Sequence, residues 1–222
     1  MNGHYGRKYG RKMRQNKHRL MAELLPELEI KLEDDRLPSL ESLTKGFDRI
    51  NLEVGFGAGE HLALQAKEYP NELFIGCEPF INGIAALLQK VEQESLNNVR
   101  IFPDDAMLLL KALPENFFSK VFILFPDPWP KARHNKRRFV NKNNLAYLSK
   151  KMKEQAQLLL ATDHDDYFEW MLKHIDQHPN FNFLSDTKEE WLKKPDLWTL
   201  TRFQEKANKA GRVSRFLRLI RK

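Results

Sequence analysis

Pro126-Asp127-Pro128-Trp129 closes the short apolar run from Val121 to Phe125 and opens directly into a basic stretch containing Lys131, Arg133, Lys136, Arg137 and Arg138. An acid at a strand end beside a cationic strip reads as a reaction centre with a polyanion docked next to it. The two prolines fix φ on either side of the acid, and Trp129 offers a flat apolar face on which a base can stack. The competing reading is a structural turn with a solvated charged flank.

A second constellation lies upstream. Gly55-Phe56-Gly57-Ala58-Gly59 follows an apolar strand-like run and precedes a helical one, the context in which a backbone loop hugs a nucleoside-containing ligand. The sixth position of the dinucleotide fingerprint is Glu60 rather than Gly, and a carboxylate at a helix start disfavours a diphosphate there. No G-x-x-x-x-G-K-[ST] occurs, which argues against an ATPase. Three acids fall at the carboxyl ends of successive predicted strands: Glu53 within the first, Glu78 after the second and Asp105 beyond the third. Glu78 is placed to accept from both ribose hydroxyls, Asp105 to orient an adenine amino group, and Glu53 to face the charged part of the ligand. An acidic, phosphate-free nucleoside pocket suits a sulfonium cofactor.

The elements that must position these residues follow from hydrophobic periodicity. Residues 50–54, 73–77, 99–102, 121–125 and 158–162 read as strands, alternating with helices at 60–69, 81–94, 106–113 and 144–155. Crossovers of that length imply a parallel α/β sheet. Residues 166–174 read as a further helix, and 215–220 as the antiparallel edge strand that mixed sheets often carry. Residues 1–46 form a basic extension with a short helix over 20–28, and 47–222 form one Rossmann-like domain.

The 222 residues suffice for one substantial core. The formal charge of +7 gathers in two acid-free stretches: Arg7 to Arg19, and Lys131 to Lys153 with nine Lys or Arg. The first reads as mobile until a polyanion orders it. Cys77 is the single cysteine, which excludes an internal disulfide or thiolate zinc site and fits a reducing compartment. The seven histidines form no spaced ligand set, so no metal is expected; His134 is a possible RNA contact, while His18, His61 and His164 read equally as surface or core-edge residues. No apolar run approaches a membrane span. The protein reads as cytoplasmic, an organellar targeting role for the basic N-terminus being the alternative. Neither an obligate protein partner nor an oligomeric state follows from these features.

Leu52-Glu53-Val54-Gly55-Phe56-Gly57-Ala58-Gly59, Gly76-Cys77-Glu78-Pro79, Asp105-Ala106, the run from Pro126 to Arg138, Ala161-Thr162-Asp163 and Thr201-Arg202-Phe203 together closely resemble the bacterial tRNA (guanine-N7)-methyltransferase family. The resemblance implies a class I, Rossmann-like enzyme dependent on S-adenosylmethionine that methylates N7 of guanosine 46 in the tRNA variable loop. It further implies that Glu53, Gly55, Gly57, Gly59, Glu78, Asp105 and Asp127 hold the methyl donor, with Asp127 also at the catalytic position. Lys131, Asp163, Thr201, Arg202, Phe203 and Gln204 would hold the target nucleoside, and Arg133, His134, Asn135, Lys136, Arg137 and Arg138 would meet the tRNA. The chain departs from the family at Gln204, where Glu is usual, the acid being displaced to Glu205, and Val213-Ser214 is less typical than Gly211-Arg212.

Guanine N7 already presents a lone pair, so transfer needs alignment more than a strong base. Asp163 would accept from guanine N1–H and N2–H₂, donors that adenine does not pair in that way; capping of the following helix is its structural alternative. A methyltransferase of another substrate, or a non-catalytic RNA-binding module, are the competing functions.

Overall fold

The computed structural model describes residues 8–185 and 187–222, with the side chain of Phe203 left aside. Arg7 of the basic N-terminal set and the Phe203 side chain therefore lie outside the described parts. The chain divides into two compact units, residues 1–113 and 114–222.

The first unit contains α1 (Gln15–Glu23), α2 (Leu25–Leu28), α3 (Leu40–Thr44), β1 (Arg49–Val54), α4 (Glu60–Glu68), β2 (Glu72–Cys77), α5 (Ile81–Glu94), β3 (Val99–Phe102) and α6 (Ala106–Ala112). Both crossovers, through α4 and α5, join parallel strands, and the strand order is β3-β2-β1. Leu52, Leu73, Ile75, Val99 and Ile101 are fully buried, as are Leu62, Leu87 and Leu88 from the crossover helices. Near-continuous apolar strands of this kind need cover on both faces. The register aligns Val54 with Cys77 and Cys77 with Phe102, so the residues that follow each strand leave from one end of this part of the sheet.

From Lys8 onward the N-terminal segment is docked. Lys8 O accepts from Ile81 N–H at 3.1 Å, and Asn82 bonds Gly10 N–H (2.8 Å) and Arg11 O (2.7 Å). In α1, Leu20 is fully buried and Arg19 pairs with Glu92 of α5. Ile30 N–H donates to Ile101 O at 2.8 Å, so the extension covers the outer side of β3, where an open edge would invite another strand. The cationic composition that suggests mobility conceals these apolar and amide anchors.

The second unit contains β4 (Phe118–Leu124), a 3₁₀ segment Ala132–Arg137, α7 (Lys142–Lys151), β5 (Met152–Thr162), α8 (Asp165–Asp176), β6 (Phe181–Phe183), α9 (Lys188–Leu192), α10 (Arg202–Lys209) and β7 (Arg215–Arg221). Its strand order is β4-β5-β7-β6. β4 and β5 are parallel, whereas β7 runs antiparallel to β5, so the expected mostly parallel, Rossmann-like architecture holds. Two details differ from expectation. β5 begins six residues before the predicted Leu158, because Met152 pairs with Phe118 ahead of an irregularity in which Gln155 has φ 61°. β7 is also not the outermost strand of this unit, since Phe181–Phe183 pairs along its far side. A three-residue strand is too short to stand out within a polar segment.

Candidate active site

In the first unit the glycine loop leaves β1 with Gly55, Gly57 and Gly59 at φ 69°, 59° and 73°, the left-handed region that side chains resist. Among the described residues, its chain neighbours aside, no heavy atom stands within 4 Å of where a Gly55 side chain would sit, so backbone is laid open to a ligand there. Behind the loop, α5 comes so close that a Cβ on Gly83 would lie 2.2 Å from Gly57 O. Gly83 is therefore part of the cradle, and a lone glycine inside a helical pattern is its sequence signal.

Glu78 is buried, and its two carboxylate oxygens accept from Gly57 N–H (2.8 Å) and Phe80 N–H (2.9 Å). Each oxygen has a second acceptor direction, which suits a vicinal diol with two O–H donors. Asp105 is half-buried and caps α6, its Oδ1 accepting from Met107 N–H at 2.9 Å. Burial first, then the negative charges of Asp105 and Glu78, push the Cys77 thiol well above its ordinary range, so Cys77 is inert packing in an electronegative setting. Glu53 is 4% exposed and lies 2.7 Å from Nδ1 of His61, itself 1% exposed. His61 is thus a core partner of Glu53, not a surface residue; its place in the first turn after the loop is visible in sequence, its burial is not.

These groups fit S-adenosylmethionine. Acceptor-only carboxylates, an open glycine backbone and Glu60 in the first turn of α4 accommodate a positively charged nucleoside and disfavour a pyrophosphate.

In the second unit, β4 and β5 are in register to Leu124 and Ala161, so the Asp127 loop and Asp163 leave from the same strand ends. The loop backbone is strained: Phe125 and Trp129 have φ 51° and 41°, a region that bulky residues occupy only when their surroundings enforce it. Phe125 N–H is held by Ala161 O at 2.8 Å. Asp127, between these two points, is exposed.

Arg138 supplies much of the enforcement, which corrects its expected place on the tRNA. It is 1% exposed, its Nε donates to Pro128 O at 2.8 Å, it pairs with Asp166, and its guanidinium lies 5.0 Å and 4.9 Å from the ring centres of Tyr167 and Trp170. A side chain enclosed in this way cannot reach a phosphate. Asn135 lies beside the same loop, and an amide turned to suit the acceptors around it would donate to Trp129 O (3.1 Å) and Lys131 O (3.3 Å). Arg137 lies 4.9 Å over the Trp129 ring, the face that the sequence assigns to base stacking.

Lys131, Arg133 and Lys136 remain exposed. His134, edge-on to Trp129 at 6.0 Å, is held below its ordinary pKa first by partial desolvation and then by the neighbouring cations Arg137, Arg133, Lys131 and Lys136. Replacing Lys131, Arg133 and Lys136 together by Gln is expected to weaken tRNA binding and to reduce the magnitude of its logarithmic salt slope by about 2 to 3, one released counterion for each lost phosphate contact. Isotherms at increasing salt measure this, and an unchanged slope would show that the strip faces elsewhere.

Asp163 does not cap α8, whose N-cap is His164 without a side-chain bond. Instead its Oδ2 accepts from Arg212 Nε at 2.6 Å. Thr201, the N-cap of α10, accepts from Gln204 N–H at 3.2 Å, and Gln204 is 1% exposed with its Oε1 accepting from Trp198 Nε1 at 2.8 Å. Both side chains thereby help to shape this segment. The neutral amide at 204 satisfies the indole without burying a charge, a physical reason for Gln where the resembling family has Glu. Arg202 is exposed on the same helix.

Residues 48–217 match a family described as "Putative methyltransferase". The tRNA (guanine-N(7)-)-methyltransferase of Zymomonas mobilis subsp. mobilis is 40% identical, over 93% of this chain and 89% of its own length. That of Agrobacterium fabrum is 40% identical, over 98% and 94%. Among solved structures, the 16S rRNA methyltransferase KamB superposes with a TM-score of 0.57 at 14% identity, covering 86% of this chain and 94% of its own. An antibiotic-related methyltransferase gives 0.55 at 19% identity, covering 87% and 95%. At those identities the structural likeness speaks for the fold alone.

Proposed function

This chain belongs to the tRNA (guanine-N7)-methyltransferase family, and we propose that it transfers a methyl group from S-adenosylmethionine to N7 of a tRNA guanine, guanosine 46 of the variable loop, in the cytoplasm. The observation that carries this reading is the second unit's braced Pro126-to-Trp129 loop, which presents an exposed carboxylate beside an exposed cationic strip. Near-full-length relatives with the same activity support it. Among the described residues no helix is long and apolar enough to cross a membrane.

Glu78 would hold the ribose hydroxyls, Asp105 the adenine amino group through its remaining oxygen, and Glu53 the charged end of the donor, with the glycine backbone beneath. When bound, S-adenosylmethionine supplies a methyl carbon on a cationic sulfur, and its transfer to N7 needs no proton removed. Asp127 therefore has no basic task; its charge favours the cation that develops on the purine. Asp163 would select guanine by accepting from N1–H and N2–H₂, a contact that a base lacking those donors cannot make. Lys131, Arg133 and Lys136 would hold phosphates, supplying affinity while the folded tRNA's shape supplies the choice of site.

Incubation of the purified protein with the donor and unmodified tRNA, followed by digestion to nucleosides, tests the proposal. N7-methylguanosine is expected, and none from a tRNA carrying adenosine at position 46. A different methylated nucleoside would redirect the substrate assignment; binding without product would make the chain an RNA-binding module.

A further inference from the structure

The contact between Asp163 and Arg212 joins residues 49 apart in sequence, and the backbone builds it deliberately. α10 ends in a Schellman closure: Gly211, at φ 68°, donates to Asn208 O at 3.0 Å, and Arg212 N–H donates to Ala207 O at 2.9 Å. The chain then enters β7, whose first residue, Arg215, is in register with Thr162. Arg212 is therefore delivered to the same strand end as Asp163, and its position is set by the turn rather than by a wandering side chain. Asp163 is 19% exposed at its side chain, whereas Arg212 is 49% exposed; the carboxylate is sheltered and the guanidinium is reachable by solvent.

A guanidinium carries planar N–H donors on a CN₃ unit. Guanine's N1–H and N2–H₂ form the same donor pattern on the same arrangement of atoms. We infer that Arg212 is a resident mimic of the guanine edge: it occupies the acceptor that reads the target base and is displaced when guanine enters. This rests on the reading that Asp163 recognises guanine. The consequence is a residue that competes with the target base for Asp163 and never touches the product. Any base entering the Asp163 position must match the donor pattern of the guanidinium it removes, and adenine, which lacks the paired donors, leaves Arg212 in place. A partly exposed ion pair is weak enough for such an exchange, and a fully buried one would not be.

The test is steady-state methylation of tRNA by Arg212→Met, which keeps the length of the side chain and deletes its donors. The KM for tRNA is expected to fall about two- to fivefold, the scale of a partly exposed ion pair, with kcat unchanged. Millimolar guanidinium chloride, compared with sodium chloride at equal ionic strength, is expected to raise the KM of the variant back toward that of the parent and to leave the parent unaffected. A merely structural ion pair would leave the KM unchanged and show no selective response to guanidinium; a phosphate-binding Arg212 would give a raised KM. Either result overturns the inference. Asp163→Asn separates the two levels. If it methylates normally, the guanine reading itself fails; if it loses activity while Arg212→Met is indistinguishable from the parent, only the mimicry fails.

Discussion

Asp127→Asn is expected to lower the single-turnover rate of N7 methylation by about 100-fold or more while leaving tRNA affinity and the circular dichroism spectrum close to those of the parent. The substitution keeps size and removes charge, so it isolates the electrostatic role. The magnitude follows from the loss of one interaction that strengthens as charge develops in the transition state. The fold should tolerate it, because Asp127 is exposed and the loop is fixed by its neighbours: Phe125 N–H on Ala161 O, and Pro128 O on Arg138. Rapid methylation by the variant under saturating tRNA and donor would remove Asp127 from the catalytic position.

The second large effect concerns stability. Arg138→Ala is expected to destabilise the protein by about 3 kcal/mol, from a charged hydrogen bond to Pro128 O, two cation–aromatic contacts and the void left in their place. For a chain of this size that corresponds to a fall in melting temperature of roughly 6–12 °C. Tyr167 is fully buried and Trp170 Nε1 donates to Val140 O at 2.6 Å, so the surrounding cage is packed and tied to the backbone. Scanning calorimetry gives the first readout. The second is the salt slope of tRNA binding at a temperature where the variant is folded, which should be unaltered, in contrast to the triple variant at Lys131, Arg133 and Lys136. A normal melting temperature with a reduced slope would return Arg138 to the phosphate-binding set.

The contrast among these neighbouring cations marks the boundary between local and non-local information. The strand–glycine loop–helix order around Gly55, the crossover rhythm through Cys77 and Phe102, and the position of Asp127 at a strand end are legible along the chain, because periodicity, turn residues and crossover length are local properties. The acids Glu78, Asp105 and Asp163 could be assigned to strand ends for the same reason. Nothing local distinguishes Arg138 from Arg133, five residues earlier in one basic run. Their fates diverge because Tyr167, Trp170 and Asp166, some thirty residues downstream, close around one of them and not the other.

The same holds for His61, which looks like any polar residue near a helix start until Glu53 is found 2.7 Å from its ring, and for Arg212, which meets Asp163 only because β7 runs antiparallel to β5 and returns to its end. Burial and charge pairing depend on which distant segments arrive at a point in space, and a desolvated cation or carboxylate is tolerated only where those segments supply its partners. Residue type and spacing thus settle which chemistry this chain carries, while the choice of which charges remain available to a tRNA, and which are spent holding the loop that presents Asp127, belongs to the packing of the second unit.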